Sequence, residues 1–112
     1  MNISNVLAGI MTKDHAAART WYANLLGRTA DATPMEGLAE WHFEGGVLQL
    51  VHDEERAGAS SVALIVSSRD EVRTEVEVKG VPIGPTTETE FVKTLTINDP
   101  EGNRITFAEN LG

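Results

Sequence analysis

One order of elements occurs twice along this chain. Residues 6–11, VLAGIM, form an apolar run that ends at Thr12–Lys13–Asp14 and predicts a buried strand entering a helix. In the helix, Ala17, Trp21 and Leu25 lie four apart with Ala18, Tyr22 and Leu26 beside them, so one broad stripe is apolar. Asp14 suits its start and Gly27 its stop. The second half repeats the sequence of elements. SVALIVSS (61–68) predicts a strand and SRDEVRTEVEVKG (68–80) a shorter helix. Ser68 and Glu71 have capping-box spacing, Val72 and Val76 line the inner face with Lys79 next in that row, and Gly80 offers the stop.

Strands follow each helix. A loose polar segment, 28–37, carries Pro34 and Gly37. LAEWHFEGGVLQLVHD then reads as two strands joined at Gly45–Gly46, a pair that allows the positive dihedrals of a tight hairpin. In the second half, VPIGPTTETE is an edge strand and loop interrupted by Pro and Gly. FVKTLTIN and NRITFAEN are the last two strands, joined by the turn Asp99–Gly102. Pro100 suits the first central turn position, and Gly102 the position that needs permissive dihedrals. The order strand, helix, three strands thus stands twice in one α+β domain spanning 1–112, with module one at about 5–52 and module two at about 60–109. Leu7 and Ser61 occupy matching places, and Gln49 and Thr106 sit in the corresponding final strands. Each half-sheet has a helix for one face. The other face stays open unless two halves, or two chains, curl around a shared cleft.

Composition narrows the function. With 112 residues, 41% of them hydrophobic, the chain suits a single core. It has no cysteine, which excludes a disulfide framework, a thiolate metal site and a cysteine nucleophile, and fits a cytoplasmic location. No stretch reaches the roughly 20 apolar residues that span a bilayer, and no basic region precedes an apolar run, so neither a signal peptide nor a membrane partner is expected. Nine Lys and Arg stand against 17 Asp and Glu, for a net charge of −8. That balance argues against nucleic acid and favours a cationic or neutral small molecule.

The stretches TKDHAAARTWYANLLG (12–27), GGVLQL (45–50) and NDPEGNRITF (98–107) resemble the glyoxalase/bleomycin-resistance/extradiol-dioxygenase (vicinal oxygen chelate) superfamily over nearly the whole chain, the last being the most specific. The resemblance implies two βαβββ modules forming a curved mixed sheet around a cleft, and a homodimer that binds small molecules. It also implies four places for metal ligands. Here those places hold Leu7, Gln49, Ser61 and Thr106, where metal-dependent members usually have His or Gln at the first, His at the third and Glu at the last. The first strand contains no His, Asp or Glu, so no metal and no other cofactor is expected. The turn before Thr106 then serves as scaffold. Period-two alternation puts Ile105 and Phe107 on the helix side, with Arg104, Thr106 and Ala108 toward the cleft.

Among polar candidates, Gln49 interrupts the apolar run Val47–Val51 and reads either as a ligand-orienting amide or as a satisfied polar residue at a seam. Trp41 and Phe43 share a side, and either supplies an aromatic wall for a flat or cationic ligand; core packing is the alternative. His42 keeps company with Glu40 and Glu44 at a solvated edge, and His52–Glu55 reads as a solvated acidic loop. Tyr22 packs against the sheet, and Asp99 caps backbone amides in its turn. The loop at 83–90 reads as a mobile edge or as a cover for the cleft mouth. The expected ligand site is Trp41, Gln49, Thr106, Ser61 and Leu7, with no catalytic residue. The leading expectation is metal-independent binding or sequestration of a small organic molecule, such as a cationic antibiotic, at a homodimer interface. The alternatives are a divalent-metal lyase, isomerase or dioxygenase of the same superfamily, and a non-catalytic interaction module with a filled cleft.

Overall fold

The computed structural model describes residues 1–112. The chain divides into two compact units, Met1–Ser60 and Ser61–Gly112, each a βαβββ module around a four-stranded mixed sheet.

In the first unit, β1 (Leu7–Thr12) leads into α1 (His15–Leu26), followed by β2 (Ala32–Met35), β3 (Leu38–Phe43) and β4 (Gly46–His52). The sheet order is β1-β4-β3-β2. β1 runs parallel to β4, and the other pairs are antiparallel. The α1 ends behave as their residues dictate. The Asp14 carboxylate accepts from the Ala17 amide at 3.1 Å, and Gly27 closes the helix at φ 76°. The apolar stripe delivers Ala18, Tyr22 and Leu25 to the core, where they meet Ile10, Ala39, Trp41, Leu48 and Leu50. Burying each of the Leu and Ile side chains stabilises by about 1.5–3 kcal/mol.

Two expectations about this unit are corrected. The segment read as loose contains β2, which pairs with β3 through Ala32–Glu40 and Met35–Leu38 with an irregular register between them. Its side chains are mostly exposed, so it shows no apolar alternation and is defined by backbone pairing alone. The β3–β4 hairpin turns at Glu44–Gly45 with Phe43 opposite Gly46, and neither glycine has a positive φ. Gly46 is there for closeness instead: a Cβ at that position would lie 3.2 Å from the Val6 carbonyl oxygen.

The second unit holds β5 (Ser61–Ile65), α2 (Arg69–Val78), β6 (Thr86–Glu88), β7 (Val92–Asn98) and β8 (Arg104–Asn110), in sheet order β5-β8-β7-β6. Ser68 caps α2 by accepting from the Glu71 amide at 3.2 Å. Val62, Leu95, Ile97, Ile105 and Phe107 line one face with Val76 of the helix. Asp99 organises the β7–β8 turn. Its Oδ1 accepts from the amides of Glu101 and Asn103, both at 2.9 Å, and its Oδ2 from the buried Asn103 Nδ2 at 2.9 Å. Gly102 supplies the positive φ, 96°, that the turn demands.

Arg69, the first residue of α2, is buried although the sequence singled out nothing there. Its Nη1 donates to the carbonyls of Thr87 and Thr94, each at 3.2 Å, and its Nη2 to Glu88 Oε1 at 3.1 Å. Its own amide donates to Glu109 Oε1 at 2.7 Å. One guanidinium thus ties the helix start to β6 and β7.

Candidate functional site

Cross-strand register decides which side chains share a surface. In the first sheet, Trp41 pairs with Leu48, and Leu48 with Ala8, on the side that α1 covers. Trp41 is fully buried, its ring centroid is 6.4 Å from that of Tyr22, and its Nε1 donates to the Arg28 carbonyl at 3.0 Å. The expected aromatic ligand wall is therefore corrected: Trp41 is a core residue with its polar atom satisfied. Phe43 follows the same phase at the strand end and is exposed, with the Arg28 guanidinium 5.0 Å from its ring centroid.

The opposite face carries Gln49. Gln49 pairs with Glu40 of β3 and Gly9 of β1, and one step along, Leu7 pairs with Val47, which in turn pairs with His42. Leu7 and Gln49 are thus brought to one surface. Gln49 Nε2 donates to Glu40 Oε2 at 2.8 Å, and Glu40 Oε1 sits 3.1 Å from His42 Nε2. Glu40 is the residue that sequence reasoning missed. Its signal was present: Leu38, Glu40 and His42 alternate at period two, so Glu40 and His42 share a face. The amide of Gln49, and then the imidazole of His42, hold the Glu40 carboxyl below the usual carboxylate range.

In the second sheet, Ser61 and Thr106 also share a face, because Ala63 pairs with Thr106 and Ser61 with Arg104. The hydroxyls of Thr96 and Thr106 lie 3.0 Å apart, and those of Thr87 and Thr94 are hydrogen-bonded. The helix-free face of this sheet is therefore hydroxyl-rich, and Ile65, 66% exposed, stands on it. Thr94 and Thr96 were readable from the alternation in VKTLTIN, as Thr106 was from NRITF.

The histidines do not converge into a metal cluster. His52 Nε2 lies 3.9 Å from Glu54 in an exposed pair, and no group of three or more His, Asp or Glu is placed to hold a metal ion. His15 has its Nδ1 buried without a hydrogen-bond partner, and its imidazole is held below the ordinary value by desolvation first, then by Arg19 and His52.

Neither a family model nor a curated protein sequence matches the chain. Solved structures do. A glyoxalase/bleomycin resistance protein from Catenulispora acidiphila DSM 44928 superposes with a TM-score of 0.85 at 34% identity, over 96% of this chain and 98% of its own. The chain belongs to the glyoxalase/bleomycin-resistance family. More distant members of this fold include TnmS3, an antibiotic binding protein from Streptomyces sp. CB03234 (TM-score 0.83, 21% identity, 98% of both chains). Another is lactoylglutathione lyase from Agrobacterium tumefaciens (TM-score 0.80, 17% identity, 96% of this chain and 94% of that one). At those identities the likeness is one of fold.

The family resemblance places metal ligands at Leu7, Gln49, Ser61 and Thr106, and these residues do not fit a divalent cation. Leu7 has no donor atom. Ser61 and Thr106 offer neutral hydroxyls, the second engaged with Thr96. The remaining amide, Gln49, is oriented by its bond to Glu40. Divalent sites need carboxylates or imidazoles in convergence, which this set does not contain.

Proposed function

We propose that this glyoxalase/bleomycin-resistance family member binds a small organic molecule without a metal, as a homodimer with the ligand site at the interface. The observation that carries the reading is the Gln49 amide, set on an otherwise apolar strand and aimed along the helix-free face by Glu40. Leu7 on that face, and Val6 beside it, are exposed apolar groups suited to a ligand body or to a second copy of the chain. On this reading Leu7 and Gln49 are ligand contacts on the helix-free face of the first module; Ser61 and Thr106 stand on the helix-free face of the second module's own sheet. The antibiotic-binding relative supports a ligand of organic, drug-like size. Sequestration requires no chemical step, which suits a first-module face whose titratable groups are the Glu40 carboxylate and the exposed His42 imidazole.

The test is a compound screen read by amide chemical shifts, with and without a chelator. Tryptophan fluorescence is a poor reporter, because Trp41 lies in the core. Ligand-induced shifts at the Gln49 side-chain amide that survive chelation support the reading, and binding abolished by chelation overturns it. Light scattering gives the subunit count, and a monomer mass would remove the homodimer.

A further inference from the structure

We propose that Glu40 is the charge-reading residue of a site for an organic monocation, an ammonium carried on an apolar body, on the helix-free face of the first sheet. This rests on the small-molecule reading above and names its ligand class.

The argument begins with shelter and charge. The Glu40 side chain is only 14% exposed, yet no lysine or arginine pairs with it; His42 is its one ion-pair neighbour. The carboxylates of Asp31, Asp53, Asp70, Glu77 and Glu88 each have an arginine and are each more exposed. Sheltering an anion beside no permanently charged cation is unfavourable, and such groups are normally paired or neutralised. Neutralisation is disfavoured here, because the flanking donors hold the carboxyl below its usual range. Gln49 and His42 each occupy one acceptor direction, on different oxygens. An ionised carboxylate has about four such directions, so a further donor or a cation has room. The Gln49 amide orients the charge without cancelling it.

The surroundings suit an apolar cation. Leu38, Val47 and Val51 are half-buried residues of the same face. Gly9, opposite Gln49, has no side chain, and the end of Met11 lies over it, where a Cβ would come within 3.0 Å of Met11 Cε. A flexible thioether adapts its shape to an aliphatic or aromatic body and interacts well with ring edges. The net charge of −8 draws a cation toward the molecule.

The experiment uses trimethyl(phenyl)ammonium and its uncharged isostere tert-butylbenzene, titrated by amide NMR into the wild-type protein and into Glu40→Gln. The wild type is expected to bind the cation more tightly than the isostere. Glu40→Gln should lower cation affinity by about tenfold and leave the isostere unchanged. In the wild type, the N-methyl protons should show NOEs to the Gln49 side-chain amide and the Glu40 γ protons, which decides the matter even where the variant folds poorly. Equal cation affinity in both proteins, or NOEs confined to another surface, overturns the proposal while the small-molecule reading stands. Binding of neither probe by the wild type overturns this proposal, and only a compound screen without any ligand overturns the small-molecule reading.

Discussion

Gln49 donates from Nε2 to Glu40 Oε2 over 2.8 Å, and the two residues are direct cross-strand partners in the β3–β4 hairpin. An amide and a carboxylate on one sheet face make a fixed polar unit, and its consequences are measurable.

Replacing Gln49 by Ala removes the largest influence on the Glu40 carboxyl. Its pKa should move up toward the ordinary range, followed by carbon-13 NMR of the Glu40 carboxyl. Folding should be almost unaffected, because the site is on the sheet surface and no core contact is lost. Ligand affinity should fall, and an unchanged affinity in a titration would remove Gln49 from the site.

Acid should weaken the fold by a predictable sign. Glu40 and Asp70 both have folded pKa values below their ordinary ones, Glu40 through Gln49 and then His42, Asp70 through Arg69 and then Lys93. Their contribution is complete above the ordinary carboxylate range and is lost as pH falls through the lowered folded values. His15 acts in the same direction at milder pH. Its folded imidazole resists protonation, so stability begins to fall as pH drops through its ordinary value of 6.5. Urea midpoints measured across this range should decline in two phases, and His15→Gln should abolish the upper one.

Trp41→Phe should destabilise by about 1–3 kcal/mol. It leaves a void beside Tyr22 and removes the donor to the Arg28 carbonyl. Chemical denaturation measures this, and ligand affinity should stay at the wild-type value.

Gly102→Val places a β-branched residue at φ 96° and should cost roughly 1–3 kcal/mol. For a domain of this size the melting temperature should drop by about 4 °C or more. A melting temperature equal to that of the wild type would mean that the turn does not need the conformation found here.

Arg69→Met keeps the buried aliphatic stem but leaves the Thr87 and Thr94 carbonyls and Glu88 without their donor. A loss of about 2–5 kcal/mol is expected from urea unfolding. Arg69→Lys should recover only part of it, since one ammonium cannot reproduce the planar fork.

The local rules were legible in the sequence. Periodicity located both helices and most strands, Asp14 and Ser68 announced their helix starts, and Asp99 and Gly102 announced the final turn. These features depend on near neighbours, so residue type and spacing are enough to determine them. The tertiary structure decided what depends on distant partners. β2 exists because β3 offers it backbone groups, not because its own side chains alternate. Arg69 is buried because α2 begins beside the carbonyls of β6 and β7. Trp41 and Gln49, both expected to face the ligand, were separated by a single relation of register. With Phe43 set opposite Gly46, every pair further along the hairpin follows. Trp41 falls with Leu48 under the helix, and Glu40 falls with Gln49 on the open face, because a sheet alternates its side chains and a hairpin allows only one phase at a time.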